Sequence, residues 1–203
     1  MVKAEMTTPK SSGRDSGTRR ALIQATAQVM LEEGYAAASS RRVAAKAGVK
    51  PALVHYYFPS MDDLFLAVLR EGAEMNLLRQ REALTDDQPL HALWQLNNAH
   101  GARLLMEFMA LANHRKEIRS EIVGYAARFG DLEESAVTLA MRAHGVDTTE
   151  FPPVVMSMIV TSLARIMVLE RSLGITRGHA DATAFIERLL TRYEMPPSER
   201  DAG

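Results

Sequence analysis

Residues 39–58 read SSRRVAAKAGVKPALVHYYF, which has the pattern of two short helices joined by a glycine turn. Ser39 suits the cap of the first helix, because its hydroxyl can accept an N–H left free at a helix start. Val43, Ala44 and Ala47 recur at helical spacing and give that helix a small apolar face. Gly48 stands where the helix must stop and the chain needs a positive φ. Val49 is apolar and can plug the corner. Pro51 fits the first position of the next helix, where its missing N–H would be unpaired in any case. That helix runs to about Phe58, since Pro59 disfavours helical geometry in its own predecessor. Two short helices around a glycine turn form a helix-turn-helix, a motif that lays its second helix in the major groove of DNA.

Upstream, Leu22, Ala25, Val29 and Met30 predict a helix over about residues 18–33, ended by Gly34. Residues 1–17 are polar with Gly13 and Gly17, and read as a flexible tail. Downstream, Ser60 followed by Asp63 three residues on predicts a capping-box start to a further helix, whose stripe of Leu64, Val68, Met75 and Leu78 runs toward Leu84. Over the wider stretch 19–65, the chain resembles the DNA-binding domain of TetR/AcrR-type transcriptional regulators. The resemblance rests on Ala25, Gly34-Tyr35, Ser39, Val43-Ala44, Ala47-Gly48-Val49, Tyr56-Tyr57-Phe58 and Ser60 through Leu64. Two positions depart from that pattern. Met61 replaces a usual lysine, and Lys50 replaces a usual capping Ser or Thr.

Charge follows the same division. The whole chain of 203 residues is near neutral at −1 and contains no cysteine. Residues 1–60 carry nine lysines and arginines against four acids, net +5, and the remainder carries fifteen against twenty-one, net −6. A basic head on an acidic body suits a small DNA-contacting unit joined to a larger part that should avoid DNA. Zero cysteines exclude disulfides and thiolate zinc sites, and fit a cytoplasmic protein. Arg165 interrupts the longest apolar run, so no membrane span is expected.

The side chains near the start of the reading helix are Lys50, Pro51, Ala52, His55 and Tyr56. Lys50 can donate to guanine or phosphate, and Ala52 permits close approach or touches a thymine methyl. His55 can donate to a base or phosphate, and Tyr56 and Tyr57 present hydroxyls suited to the phosphate backbone. The resemblance implies that Ser39, Tyr57 and the region of Ser60 contact phosphates; Arg41 and Arg42 are further candidates. Leu53, Val54 and Phe58 read as core.

Past the break at Asp86-Asp87-Gln88-Pro89, His91–Ala112 reads as one helix. Lys116–Phe129 and Leu132–His144 read as two helices, or one interrupted near Gly130. Pro152-Pro153 opens a strongly apolar helix to Leu173, and Asp181–Tyr193 forms the last helix, with residues 196–203 a flexible tail. The expected architecture is all-α: an N-terminal three-helix helix-turn-helix domain over 18–64 and a C-terminal helical ligand-binding and dimerisation domain over 65–195. Seven methionines between Met75 and Met167 give the body an adaptable apolar interior. The resemblance implies a small apolar effector there, for which Trp94, Met106, Met109, Tyr125 and Phe129 are the candidates. It also implies a homodimer through helices about 153–173 and 180–193, reading a palindromic double-stranded operator as a ligand-released repressor. The histidines lack zinc-site spacing, and no phosphate loop or nucleophile elbow is present. The adjacent acids Glu133-Glu134 read as cap or loop residues rather than a catalytic dyad. Neither enzyme activity nor a cofactor or metal is expected.

Overall fold

The computed structural model describes residues 11–97 and 101–194, and the chain divides into two compact units, Met1–Val68 and Leu69–Gly203. Nine α-helices and no strand occur among the described residues. In the first unit, α1 (Ser11–Glu33), α2 (Ser40–Ala47) and α3 (Pro51–Tyr57) precede the start of α4 (Met61–Ala83), within which the unit boundary falls. The local signals act as read. Ser39 accepts the Arg42 N–H at 3.3 Å, and Gly48 closes α2 in the left-handed conformation at φ 68°. Pro51 opens α3, and the Phe58 N–H closes it on the Val54 carbonyl at 2.9 Å. Ser60 and Asp63 cap each other reciprocally: the Asp63 N–H donates to Ser60 Oγ at 3.1 Å, and the Ser60 N–H to Asp63 Oδ2 at 3.0 Å. Leu22, Val29, Val43, Ala44, Val54 and Leu64 are fully enclosed, and Phe58 nearly so, whereas Ala47 and Leu53 are half-buried.

In the first unit the start of α1 differs from the sequence reading. The first helix begins at Ser11 rather than near residue 18, so residues 11–17 are helical. The Tyr57 hydroxyl donates to the Asp15 carboxylate across 42 positions of sequence, which gives this polar first turn a tertiary partner. Residues 1–10 and the tail at 196–203 lie outside the described residues.

The second unit holds the rest of α4 with α5 (Pro89–Asn97), α6 (Gly101–Ala112), α7 (Lys116–Ala143), α8 (Pro153–Ser172) and α9 (His179–Glu194). The stretch read as one helix from His91 appears as α5 and α6, with residues 98–100 between them outside the described residues. The segment from Lys116 is one unbroken helix. Gly130 sits inside α7 with open space where a Cβ would point, so it neither breaks the helix nor admits a close neighbour. The core joins four helices: Leu93 and Trp94 of α5, Ala136 of α7, Ala164 and Met167 of α8, and Ile186 and Leu190 of α9. A smaller cluster places Tyr125, Phe129 and Leu132 of α7 on Ala73 and Leu77 of α4.

Helix α8 faces two ways. Ser157, Thr161, Ala164, Met167 and Val168 are buried. Val155, Met158, Ile159, Ile166, Leu169 and Leu173 form an exposed stripe at helical spacing. By length and composition alone this helix could cross a bilayer, at mean hydropathy 1.6, yet only 28% of that apolar window is buried within the chain.

Candidate functional site

The first unit presents its candidate DNA-contacting residues on α2, α3 and the α4 cap. Arg41, Lys50, Pro51, Ala52, His55, Tyr56 and Ser60 are exposed, and Tyr56 reaches 72%. Tyr56 stands edge-on to Tyr57 with ring centroids 5.0 Å apart. Tyr57 is half-buried, and its bond to Asp15 is the main cause of a phenol pKa above the ordinary value. A phosphate contact by Tyr57 therefore requires that bond to open or be shared.

Two of the basic side chains already have partners. Arg42 forks onto Glu33 of α1 through Nε at 3.0 Å and Nη2 at 2.7 Å. That bond holds the Glu33 carboxyl below its usual range. Lys46 pairs with Glu32 at 2.6 Å. Both links brace α2 against α1, and Arg42 is placed as a strut that a phosphate would have to win from Glu33. Among the described residues Arg41 and Lys50 form no ion pair, which leaves their charge available to an anionic partner. Arg19 lies 5.0 Å over the Phe58 ring, a cation–π contact that fixes one end of α3.

The second unit contains a cavity of about 50 Å³ among α5, α7, α8 and α9. One water needs about 10–15 Å³ on that measure, so the space admits several waters or a compact ligand group. Trp94 lines it, with Met141, Met156 and Tyr193. The other sequence candidates sit elsewhere: Tyr125 and Phe129 stack at 6.1 Å in the α4–α7 cluster, Met109 is exposed, and Met106 is half-buried away from the cavity.

The polar side of the cavity escaped the sequence reading. Glu133, read there as a cap or loop residue, is in mid-helix on α7 and only 5% exposed, because its face of α7 turns inward beside Ala136. Its Oε1 accepts Asn97 Nδ2 at 3.0 Å and Gln80 Nε2 at 3.4 Å, and its Oε2 accepts the Ser157 hydroxyl at 3.4 Å. Burial pushes the Glu133 carboxyl above the usual carboxylate range, against opposing pulls from Asn97, the Arg165 charge and Ser157. Gln80, Asn97 and Ser157 lie 53, 36 and 24 positions away in sequence, so no local pattern announces the group.

Comparison with known proteins follows the division into two units. Residues 22–68 match the family model for bacterial regulatory proteins of the tetR family. Residues 22–68 are thus similar to a TetR-type DNA-binding domain. The relatives it matches are transcriptional regulators. The HTH-type transcriptional regulator BetI of Rhizobium meliloti is 38% identical over 58 residues, which cover 29% of each chain. BetI of Brucella abortus is 28% identical over 196 residues, 94% of this chain and 87% of that protein. The first of these alignments thus takes in under a third of the relative's length. Among solved structures, a transcriptional regulator of Saccharomonospora viridis in complex with choline superposes at TM-score 0.71, with 20% identity, 80% of this chain and 88% of that one. AibR, in complex with isovaleryl coenzyme A and operator DNA, does so at 0.61, with 17% identity, 74% and 85%. At such identities the structural likeness establishes a shared all-helical TetR fold.

Proposed function

We propose that this chain is a TetR-family transcriptional regulator, a homodimeric, ligand-responsive repressor that reads a palindromic operator through α3 and is released by a small, largely apolar effector. The observation that carries the reading is the pairing of an exposed Lys50–Tyr56 surface in the first unit with a lined cavity in the second. Ser39, Arg41, Lys50, Pro51, Ala52, His55, Tyr56, Tyr57 and Ser60 form the DNA surface, with Arg42 joining once a phosphate competes with Glu33. Trp94 is the sequence candidate that the cavity favours as a ligand contact; Met106, Met109, Tyr125 and Phe129 are supported only by their apolar chemistry.

The exposed stripe of α8, with Phe185 of α9, supports dimerisation. A contiguous apolar face left uncovered marks an interface, and a second copy would bury the same stripe on both subunits in a two-fold arrangement. Two reading helices about one helical turn apart, roughly 34–36 Å, then meet successive major grooves. Effector and operator that favour different arrangements of the dimer weaken each other by the same factor. Reading genomic DNA places the protein in the cytoplasm. The related fold accommodates choline in one protein and isovaleryl coenzyme A in another, so effector chemistry must be argued from this chain's own cavity.

Selection of duplexes from a random pool by the full-length protein tests the reading. It predicts enrichment of a near-palindrome with half-sites about 10 base pairs apart, or a multiple of that spacing. Recovery of no preferred sequence at low salt would contradict it.

A further inference from the structure

The acids of α1 hold polar side chains of α2 and α3. At the C-terminal end of the helix Glu33 takes Arg42 and Glu32 takes Lys46. Near its other end Asp15 accepts the Tyr57 hydroxyl. Asp15 and Glu33 stand 18 positions apart, five whole turns at about 3.6 residues each, so both carboxylates leave the same face of α1. Glu33 meets a cation there, whereas the partner of Asp15 is a neutral phenol. Asp15 is exposed and Tyr57 half-buried. Water serves an exposed carboxylate nearly as well as a phenol does, so stability alone gives little reason for this bond. A negative charge beside a DNA-reading helix also opposes the approach of phosphate.

The phenol has one proton to donate. That proton is committed to Asp15, the main reason that the Tyr57 pKa lies above its ordinary value. The Thr18 hydroxyl, one turn further along α1, hydrogen-bonds the same phenol and pulls the other way, as a donor to the phenolic oxygen does. Both the donor and the acceptor side of the hydroxyl are thus engaged within the protein. A carboxylate and a phosphodiester offer a hydroxyl the same thing, an anionic oxygen with free lone pairs. One proton serves one such oxygen well, so the two anions compete for it. We propose that the Asp15 carboxylate stands in for an operator phosphate at Tyr57, that DNA binding exchanges the one anion for the other, and that Asp15 thereby lowers affinity for DNA. This rests on the reading of α3 as the DNA-contacting helix. The Tyr57 bond then contributes only the difference between two anions, rather than the full strength of one contact.

Fluorescence anisotropy of the full-length protein on a labelled mixed-sequence duplex, long enough for two half-sites, reads the effect, because phosphate contacts do not depend on sequence. At about 0.1 M salt, charges more than about 10 Å away are largely screened. Asp15→Ala is expected to bind about tenfold more tightly, the scale of one hydrogen bond to a charged group. In a Tyr57→Phe background the same change should gain about twofold at most, which is what a screened surface charge contributes. Asp15→Asn, equal in shape and uncharged, should shift affinity in the same direction, and circular dichroism checks that each variant folds. A plain brace between α1 and α3 predicts the opposite sign, because its loss loosens the reading helix. Unchanged or weaker binding by folded Asp15→Ala and Asp15→Asn overturns the proposal, and so does a gain equally large in the Tyr57→Phe background. If the wild type binds the duplex and Asp15→Ala binds no tighter, the assignment to Asp15 falls and the reading of α3 as the DNA-contacting helix stands. If neither protein binds, both fall.

Discussion

Gly48 offers a clean test of how the reading helix is held. It closes α2 at φ 68° and ψ 30°, and a Cβ added there would meet nothing within 4 Å. Substitution therefore acts through the backbone alone. Holding a residue with a Cβ in the left-handed region costs about 1–2 kcal/mol, and alanine recovers part of this, about 0.4–1 kcal/mol, by restricting the unfolded chain. The net for Gly48→Ala is a loss of about 1 kcal/mol, close to fivefold in the local opening equilibrium. Gly48→Asn should cost less, because asparagine tolerates this conformation, and Gly48→Val more, because a branched side chain does not. Tryptophan fluorescence is the wrong probe, since the sole tryptophan, Trp94, reports the second unit. Native-state hydrogen exchange of the α2 and α3 amides reads the first unit directly. The order Asn, Ala, Val in increasing exchange is expected. Asparagine as damaging as valine would show that space rather than backbone conformation decides at this turn.

Three further outcomes follow from particular contacts. Ser39→Ala removes the acceptor for the Arg42 N–H and should weaken α2 by about 1 kcal/mol, read by the same exchange experiment. Glu133→Gln should stabilise the second unit in a pH-dependent way. The native state holds the Glu133 proton more tightly than the unfolded chain, so wild-type stability falls as pH rises from the unfolded carboxylate pKa through the raised folded one. The variant's advantage in urea unfolding is therefore absent in acid and grows toward neutrality, and an advantage independent of pH would contradict the buried-carboxylate account. Ile159→Asp places a charge in the exposed stripe of α8 and should convert dimer to monomer in sedimentation equilibrium while helicity is retained; an unchanged dimer would move the interface elsewhere.

What could be read from sequence was what local physics governs. The Ser39 cap, the Gly48 stop, Pro51 at a helix start and the Ser60–Asp63 box all act within three or four residues, and each is present in the structure as a bond or dihedral. The errors lie where distant residues decide. The start of α1 at Ser11 was hidden by Gly13 and Gly17, and one partner of its first turn, Tyr57, lies far along the chain. Gly130 suggested a break in α7, but a glycine with open surroundings costs a helix little more than its own propensity when both flanks are packed. Arg42 read as a candidate phosphate contact, and the fold sets Glu33 beside it. The cavity was the least legible part. Aromatic and methionine content pointed to the body, yet of the candidate residues only Trp94 reaches the lining. Glu133 read as a cap or loop residue because its three donors come from three other helices.

In the proposed function α3 reads DNA through a charged, hydroxyl-bearing face. The most direct measurement is the salt dependence of affinity for the selected duplex, by fluorescence anisotropy, with wild-type protein and with Lys50→Ala and Tyr57→Phe. Wild-type affinity is expected to fall by about a thousandfold or more between about 50 and about 200 mM salt, as phosphate contacts release counterions. Each substitution should weaken binding, with Lys50→Ala also flattening the slope by about one contact where it meets a phosphate, or relaxing base preference where it meets guanine. Affinity that ignores salt, or that survives both substitutions unchanged, would contradict the account.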